Sequence, residues 1–273
     1  MIRRKPDRLP GVLTHAGALN HAGALNHADP LNHDCHDWQS AKDHCQSSFR
    51  GSADLANEVL AAAADSAVRG YYRTLLRGLD WPSNRSADSL QTLAITSCQR
   101  GEGVSTVAAH LAVTAASSLT HRVLLVDANI AWPSLHKTFG LTLDPGQSDH
   151  ARPRRSVQST HYKNLGLLTS RSLSGNDPTS IDGLTERFSQ LVVAAKRSFD
   201  LAVFDMPAAN PTNLGLQLFA IFDGVLLVAE AERVRSEVAE HTKQKLDQVG
   251  ANLLGVVLNK RTYHIPNWLY RTL

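Results

Sequence analysis

The segment Ser97-Cys-Gln-Arg-Gly-Glu-Gly-Val-Ser-Thr106 lies between a β-rich run and an apolar helical run, and it carries two glycines and three hydroxyls in a short space. A strand, a glycine-bearing turn and a helix N-terminus in this order build an anion site, because backbone N–H groups without intrahelical partners and the positive helix end converge on a phosphate. Gly101 and Gly103 permit close backbone approach. Ser105 stands where a phosphate-loop hydroxyl binds Mg²⁺, with Thr106 beside it. The expected chemistry is phosphate binding by Arg100, Gly101, Glu102, Gly103, Val104, Ser105 and Thr106. A glycine pair alone also fits an ordinary strand-to-helix turn.

A second group lies upstream. The hexapeptides His15-Ala-Gly-Ala-Leu-Asn20, His21-Ala-Gly-Ala-Leu-Asn26 and His27-Ala-Asp-Pro-Leu-Asn32 precede His33, Cys35, His36, His44 and Cys45. Imidazoles and thiols in this number suggest metal ligation. Against that, a spacing of six does not return to one helix face, and three six-residue units bury little apolar surface. Residues 1–52 are read as a low-complexity, disordered tail, with metal binding as the alternative.

The elements that position the loop follow from patterning. The 273 residues are 42% hydrophobic and 19% charged, a composition unlike that of a disordered or coiled-coil chain. The formal charge of +3 argues against a nucleic-acid partner. Three cysteines and the absence of a long apolar run predict a cytoplasmic protein without a span of its own, recruited to the inner membrane only through a partner. Helical spacing from Ala53 to Leu79 and a polar linker over Ser83–Ser89 form a lead-in covering 53–89. Beyond it, over 90–273, β-rich runs at Thr92–Thr96, Arg122–Val126, Leu165–Thr169, Leu201–Asp205, Gly224–Ala229 and Leu253–Leu258 alternate with helical runs. The helices are expected at Ser105–Ser117, Gly183–Arg197, Thr212–Ile221 and Val234–Val249. Near-continuous apolar strands are buried on both faces, so the predicted class is α/β, a doubly wound, mostly parallel sheet with helices on both sides.

With these elements in place, the ordered motifs resemble the bacterial tyrosine kinases (BY-kinases) of the CpsD/CapB type, P-loop ATPases related to ParA and MinD. The resemblance runs from about Arg69 to Lys260. It is carried by Gly101–Thr106, by Val123-Leu-Leu-Val-Asp-Ala-Asn129 with Trp132-Pro133, by Phe199-Asp-Leu-Ala-Val-Phe-Asp-Met-Pro207 and by Gly255-Val-Val-Leu-Asn259. It implies a cytoplasmic autokinase regulating exopolysaccharide or capsule biosynthesis with a membrane polysaccharide co-polymerase or export protein. It also implies ATP and Mg²⁺ as cofactors and self-association. By the same resemblance Asp127 is the base and a Mg²⁺-side carboxylate, Asp205 holds Mg²⁺ through water, Ser105 ligates it, and Asn259 lies near the adenine.

Four departures qualify these expectations. Val104 stands where the family has its phosphate-binding lysine, a charge worth up to ~4 kcal/mol about 4 Å from a phosphate oxygen, or about a thousandfold in affinity. Asn129 replaces a second aspartate. The pre-core helix keeps Arg73 and Arg77 but has Gly70 in place of the family glutamate, and only Tyr263 and Tyr270 follow the last strand. Arg100 is either a solvated loop residue or a compensating phosphate ligand, and Arg152-Pro-Arg-Arg155 is a basic loop. The readings that stand are the autokinase, a catalytically silent nucleotide-sensing or scaffold regulator of the export complex, and a ParA/MinD-like positioning ATPase.

Overall fold

The computed structural model describes residues 66–81, 89–117, 120–141, 157–169, 181–209 and 215–261. The histidine-rich repeats, most of the linker, the Arg152–Arg155 stretch, Tyr263 and Tyr270 lie outside the described residues.

Among the described residues seven strands form one sheet: β1 (Thr92–Ser97), β2 (Val123–Asp127), β3 (Gln158–Ser159), β4 (Leu165–Leu168), β5 (Leu201–Asp205), β6 (Gly224–Glu230) and β7 (Leu253–Asn259). Their order across the sheet is β3-β4-β2-β5-β1-β6-β7, parallel throughout except for the β3/β4 edge. Every residue of β1, β2, β4 and β5 is buried, as unbroken apolar runs require when helices cover both faces.

Among the described residues five helices accompany the sheet: α1 (Ser66–Gly78), α2 (Val104–Ala116), α3 (Leu135–Thr138), α4 (Ile181–Ser198) and α5 (Ser236–Gln248). The core divides between the two faces. On one, Phe188, Leu191 and Ala195 of α4 meet Phe204 and Phe222, whose rings lie 4.8 Å apart. On the other, α2 packs against the sheet and beneath α1, and it is apolar nearly all round because it is covered on two sides. Tyr72 of α1 stacks on His110 of α2, with ring centroids 5.2 Å apart, and burial pushes the His110 imidazole below its ordinary range. The lead-in helix is thereby fixed to the helix that begins at the phosphate loop.

Parallel strands bring their C-terminal ends to one rim, where ligands bind in open α/β sheets. Ser97, Asp127, Asp205, Glu230 and Asn259 all end strands here, with Asp127 opposite Asp205 and Glu230 opposite Asn259.

Four local readings are corrected. The two-residue β3 and the single turn α3 carry too short a pattern to be seen in sequence. In place of a helix over Thr212–Ile221, the described residues hold a 3-10 segment, Leu216–Ile221. The strand β7 is not covered on both faces: Val256 and Leu258 are more than half exposed, because β7 is an edge strand. Strand and helix ends otherwise move by one or two residues, with α2 starting at Val104 rather than Ser105.

Candidate nucleotide-binding site

The loop from β1 to α2 is built to present amides. Gly101 and Gly103 have φ of 91° and 94°, values that L side chains rarely adopt. A Cβ on Gly103 would also collide with the Asn259 side-chain amide. Gly103 is the N-cap of α2 and offers no side chain, so the first-turn N–H groups are not capped from within and remain available to an anion.

The loop's own polar groups hold this shape. Glu102 is fully buried, and its two carboxylate oxygens accept from the Cys98 and Gln99 amides at 3.2 and 3.0 Å. It acts as a strut inside the loop, and burial pushes its carboxyl above the usual range. Three successive loop carbonyls are bound from the β6 and β7 side. Arg233 donates to the Arg100 carbonyl at 3.4 Å, Lys260 to Gly101 at 2.8 Å and Asn259 to Glu102 at 2.8 Å. Glu230 joins Arg233 and Lys260 through ion pairs of 2.9 and 3.1 Å. With the carbonyls tied outward, the amides are left for a ligand. Arg233, Lys260 and Glu230 carry no local sequence signal, because the fold alone brings them to the loop. Asn259, expected near the adenine, also braces Glu102.

The carboxylates lie on the other side. Asp127 is fully buried; its Oδ2 accepts from the Ser134 and Leu135 amides at 3.0 and 3.1 Å, while Oδ1 has no partner among the described residues. Burial raises its pKa, opposed by the amides of Leu135, Ser134 and Asn129. Asp205 is 1% exposed, and neither of its oxygens has a hydrogen-bond partner among the described residues. Burial pushes Asp205 up to about 7; the nearby Ser105 hydroxyl opposes this without closing a hydrogen bond, and the Asp127 charge adds to it. Ser134 Oγ donates to Ser105 Oγ at 3.1 Å, which places that hydroxyl beside the carboxylates.

Three buried carboxylate oxygens left without partners are costly unless a ligand satisfies them. Two carboxylates and a serine hydroxyl are the oxygen donors Mg²⁺ takes. The donor set therefore fits Mg²⁺, and the glycine loop fits the phosphates of a nucleotide.

Two of the predicted residues make contacts of their own. Val104 is half-buried and packs against the apolar cluster beneath α1. Arg100 is exposed, and its guanidinium lies 3.9 Å from the centre of the Trp132 ring, on the loop after β2. Asn129 accepts from the Trp132 amide at 3.2 Å, so it shapes the turn that presents this ring. Ser134 and Trp132 were not among the expected site residues, although both stand in the motif after Asp127 where the signal lay.

A family model described as "ParA: NUBPL iron-transfer P-loop NTPase" matches residues 89–271. Tyrosine-protein kinase YwqD of Bacillus subtilis (strain 168) is 28% identical over 214 residues, covering 77% of this chain and 88% of YwqD. Among solved structures, the chimerical protein CapA2B2 aligns with a TM-score of 0.61 and 26% identity, over 73% of this chain and 88% of that one. The kinase domain of VpsO aligns with a TM-score of 0.59 and 25% identity, over 75% and 96%. The family match begins before the phosphate loop and runs past the last strand, so the chain belongs to the ParA family of P-loop NTPases, and its relatives include proteins named tyrosine-protein kinases.

Proposed function

We propose that this chain is the Mg-ATP-binding module of a tyrosine autokinase of the exopolysaccharide and capsule type, with a complete metal side and a weakened phosphate side. The observation that carries this reading is the pair of strand-end aspartates with three buried oxygens beside Ser105 that have no partner among the described residues. A fold needs no such group for its own stability.

In this reading Ser105 would ligate Mg²⁺, Asp205 would hold it through water and Asp127 would stand on the metal side of the site; the ion, when bound, would supply charge neutralisation at the phosphoryl group. The amides from Gly101 to Thr106 orient the phosphates. Asp127 is anchored through Oδ2, which leaves Oδ1, without a partner among the described residues, to accept the proton of a tyrosine hydroxyl. The partner is a membrane polysaccharide co-polymerase or export protein. No helix among the described residues is long and apolar enough to cross a membrane, so the partner would hold the chain at the bilayer. Copies of the chain phosphorylate one another.

A second reading, a nucleotide sensor without phosphoryl transfer, is favoured by the packing of Val104, which offers a phosphate no charge. One experiment separates them: purified chain with Mg-ATP, followed by anti-phosphotyrosine signal and by direct nucleotide binding. The kinase predicts signal that is lost in Asp127→Ala. Binding without signal supports the sensor, and failure of both refutes the nucleotide-site reading.

A further inference from the structure

We propose that Arg100, steadied by Trp132, supplies the phosphate-facing positive charge that Val104 lacks; the proposal rests on the nucleotide-binding reading above. Among the described residues Arg100, Arg233 and Lys260 border the loop. Lys260 is engaged by the Gly101 carbonyl and Glu230, and Arg233 by Glu230 and the Arg100 carbonyl, so both are committed to the β7 side. Arg100 turns the other way. Its guanidinium lies over Trp132 on the β2 loop, and among the described residues it forms no ion pair. That is the side on which Ser134 meets Ser105 and on which Asp127 and Asp205 carry their unpartnered oxygens.

The placement of the guanidinium over the ring, 3.9 Å from its centre, suits this role. A guanidinium uses its flat face against an aromatic ring and keeps its N–H donors in the plane, directed outward. Trp132 therefore restricts where Arg100 points without consuming the donors that would meet phosphate oxygens. The ring is 58% exposed, so the pair stands at the open rim of the loop, where a phosphate arrives from solvent. An exposed stack of this kind is worth about two- to fivefold in population, weak enough to yield to a phosphate.

The test is calorimetric titration of the full chain with Mg-ATP, together with Trp fluorescence. We expect Arg100→Ala to weaken Mg-ATP binding by about tenfold or more, and Trp132→Ala by about two- to fivefold. Val104→Lys placed in the Arg100→Ala background should restore affinity to the unsubstituted level or above. Mg-ATP should also change the emission of the chain, and Trp132→Phe should remove that change. If the unsubstituted chain binds Mg-ATP and Arg100→Ala binds equally well, the role of Arg100 is refuted while the nucleotide site stands. If the unsubstituted chain binds none, both fall together.

Discussion

Replacing Asp205 with asparagine should make the metal-free protein more stable at pH 8 while removing its response to Mg²⁺. The carboxyl is 1% exposed, has no hydrogen-bond partner among the described residues and is pushed up to about 7 by burial. Against the ordinary value of 3.8, the raised pKa means that the folded chain keeps a proton the unfolded chain has already released. This contribution is fully present below about pH 4 and is lost as pH rises towards about 7, after which stability levels off. About three pH units at 1.36 kcal/mol each set a ceiling of ~4 kcal/mol, and water penetration and relaxation bring the expected effect to about 2 kcal/mol. The substituted amide carries no charge to desolvate. Urea denaturation of both proteins with a chelator present, from pH 4 to pH 8, should show the curves close together in acid and separated by about 2 kcal/mol at pH 8, with the variant more stable. Adding Mg²⁺ and ATP should stabilise only the protein with Asp205, as expected for a ligand bound by the folded state alone. A variant less stable than its parent at pH 8, or an unchanged pH slope, would refute the view that Asp205 is held at a folding cost for a cation.

Three further outcomes follow from the loop. Val104→Lys should raise ATP affinity at least tenfold, since its stem can keep the contact with the apolar cluster while its charge reaches a phosphate; calorimetry giving unchanged binding would show that the lysine is not the limiting defect. Glu102→Gln should destabilise the chain by about 1–2 kcal/mol, because an amide nitrogen would face one of the two backbone donors at Cys98 and Gln99, and hydrogen exchange at those amides should accelerate. Gly103→Ala should weaken nucleotide binding and lower the Tm through both its φ of 94° and the collision with Asn259. Asn259→Ala in the same chain should recover only the collision, a partial rescue that a double-mutant cycle resolves.

The parallel sheet was legible because its central strands are apolar on both faces and its helices carry their own period. The phosphate loop was legible because backbone chemistry demands glycine at Gly101 and Gly103. What escaped were contacts made by topology alone. Arg233 and Lys260 reach the loop only because β6 and β7 end beside β1, and no spacing in the sequence encodes that. Glu102 read as a phosphate-loop residue; its burial and its two amide partners show a brace. The exposure of Val256 and Leu258 follows from edge position, a property of strand order that apolar patterning does not carry. Arg100 could be placed beside the loop from sequence, but its direction depends on Trp132 and on the turn shaped by Asn129.

The most direct measurement is calorimetric titration of the purified chain with ATP, with and without Mg²⁺. An intact metal side beside a lysine-free loop predicts saturable binding that requires Mg²⁺, is weaker than in Val104→Lys by about tenfold or more, and disappears in Asp205→Asn. Binding indifferent to Mg²⁺, or none in the unsubstituted chain, would contradict the assignment of Asp127, Asp205 and Ser105 to a nucleotide-bound cation.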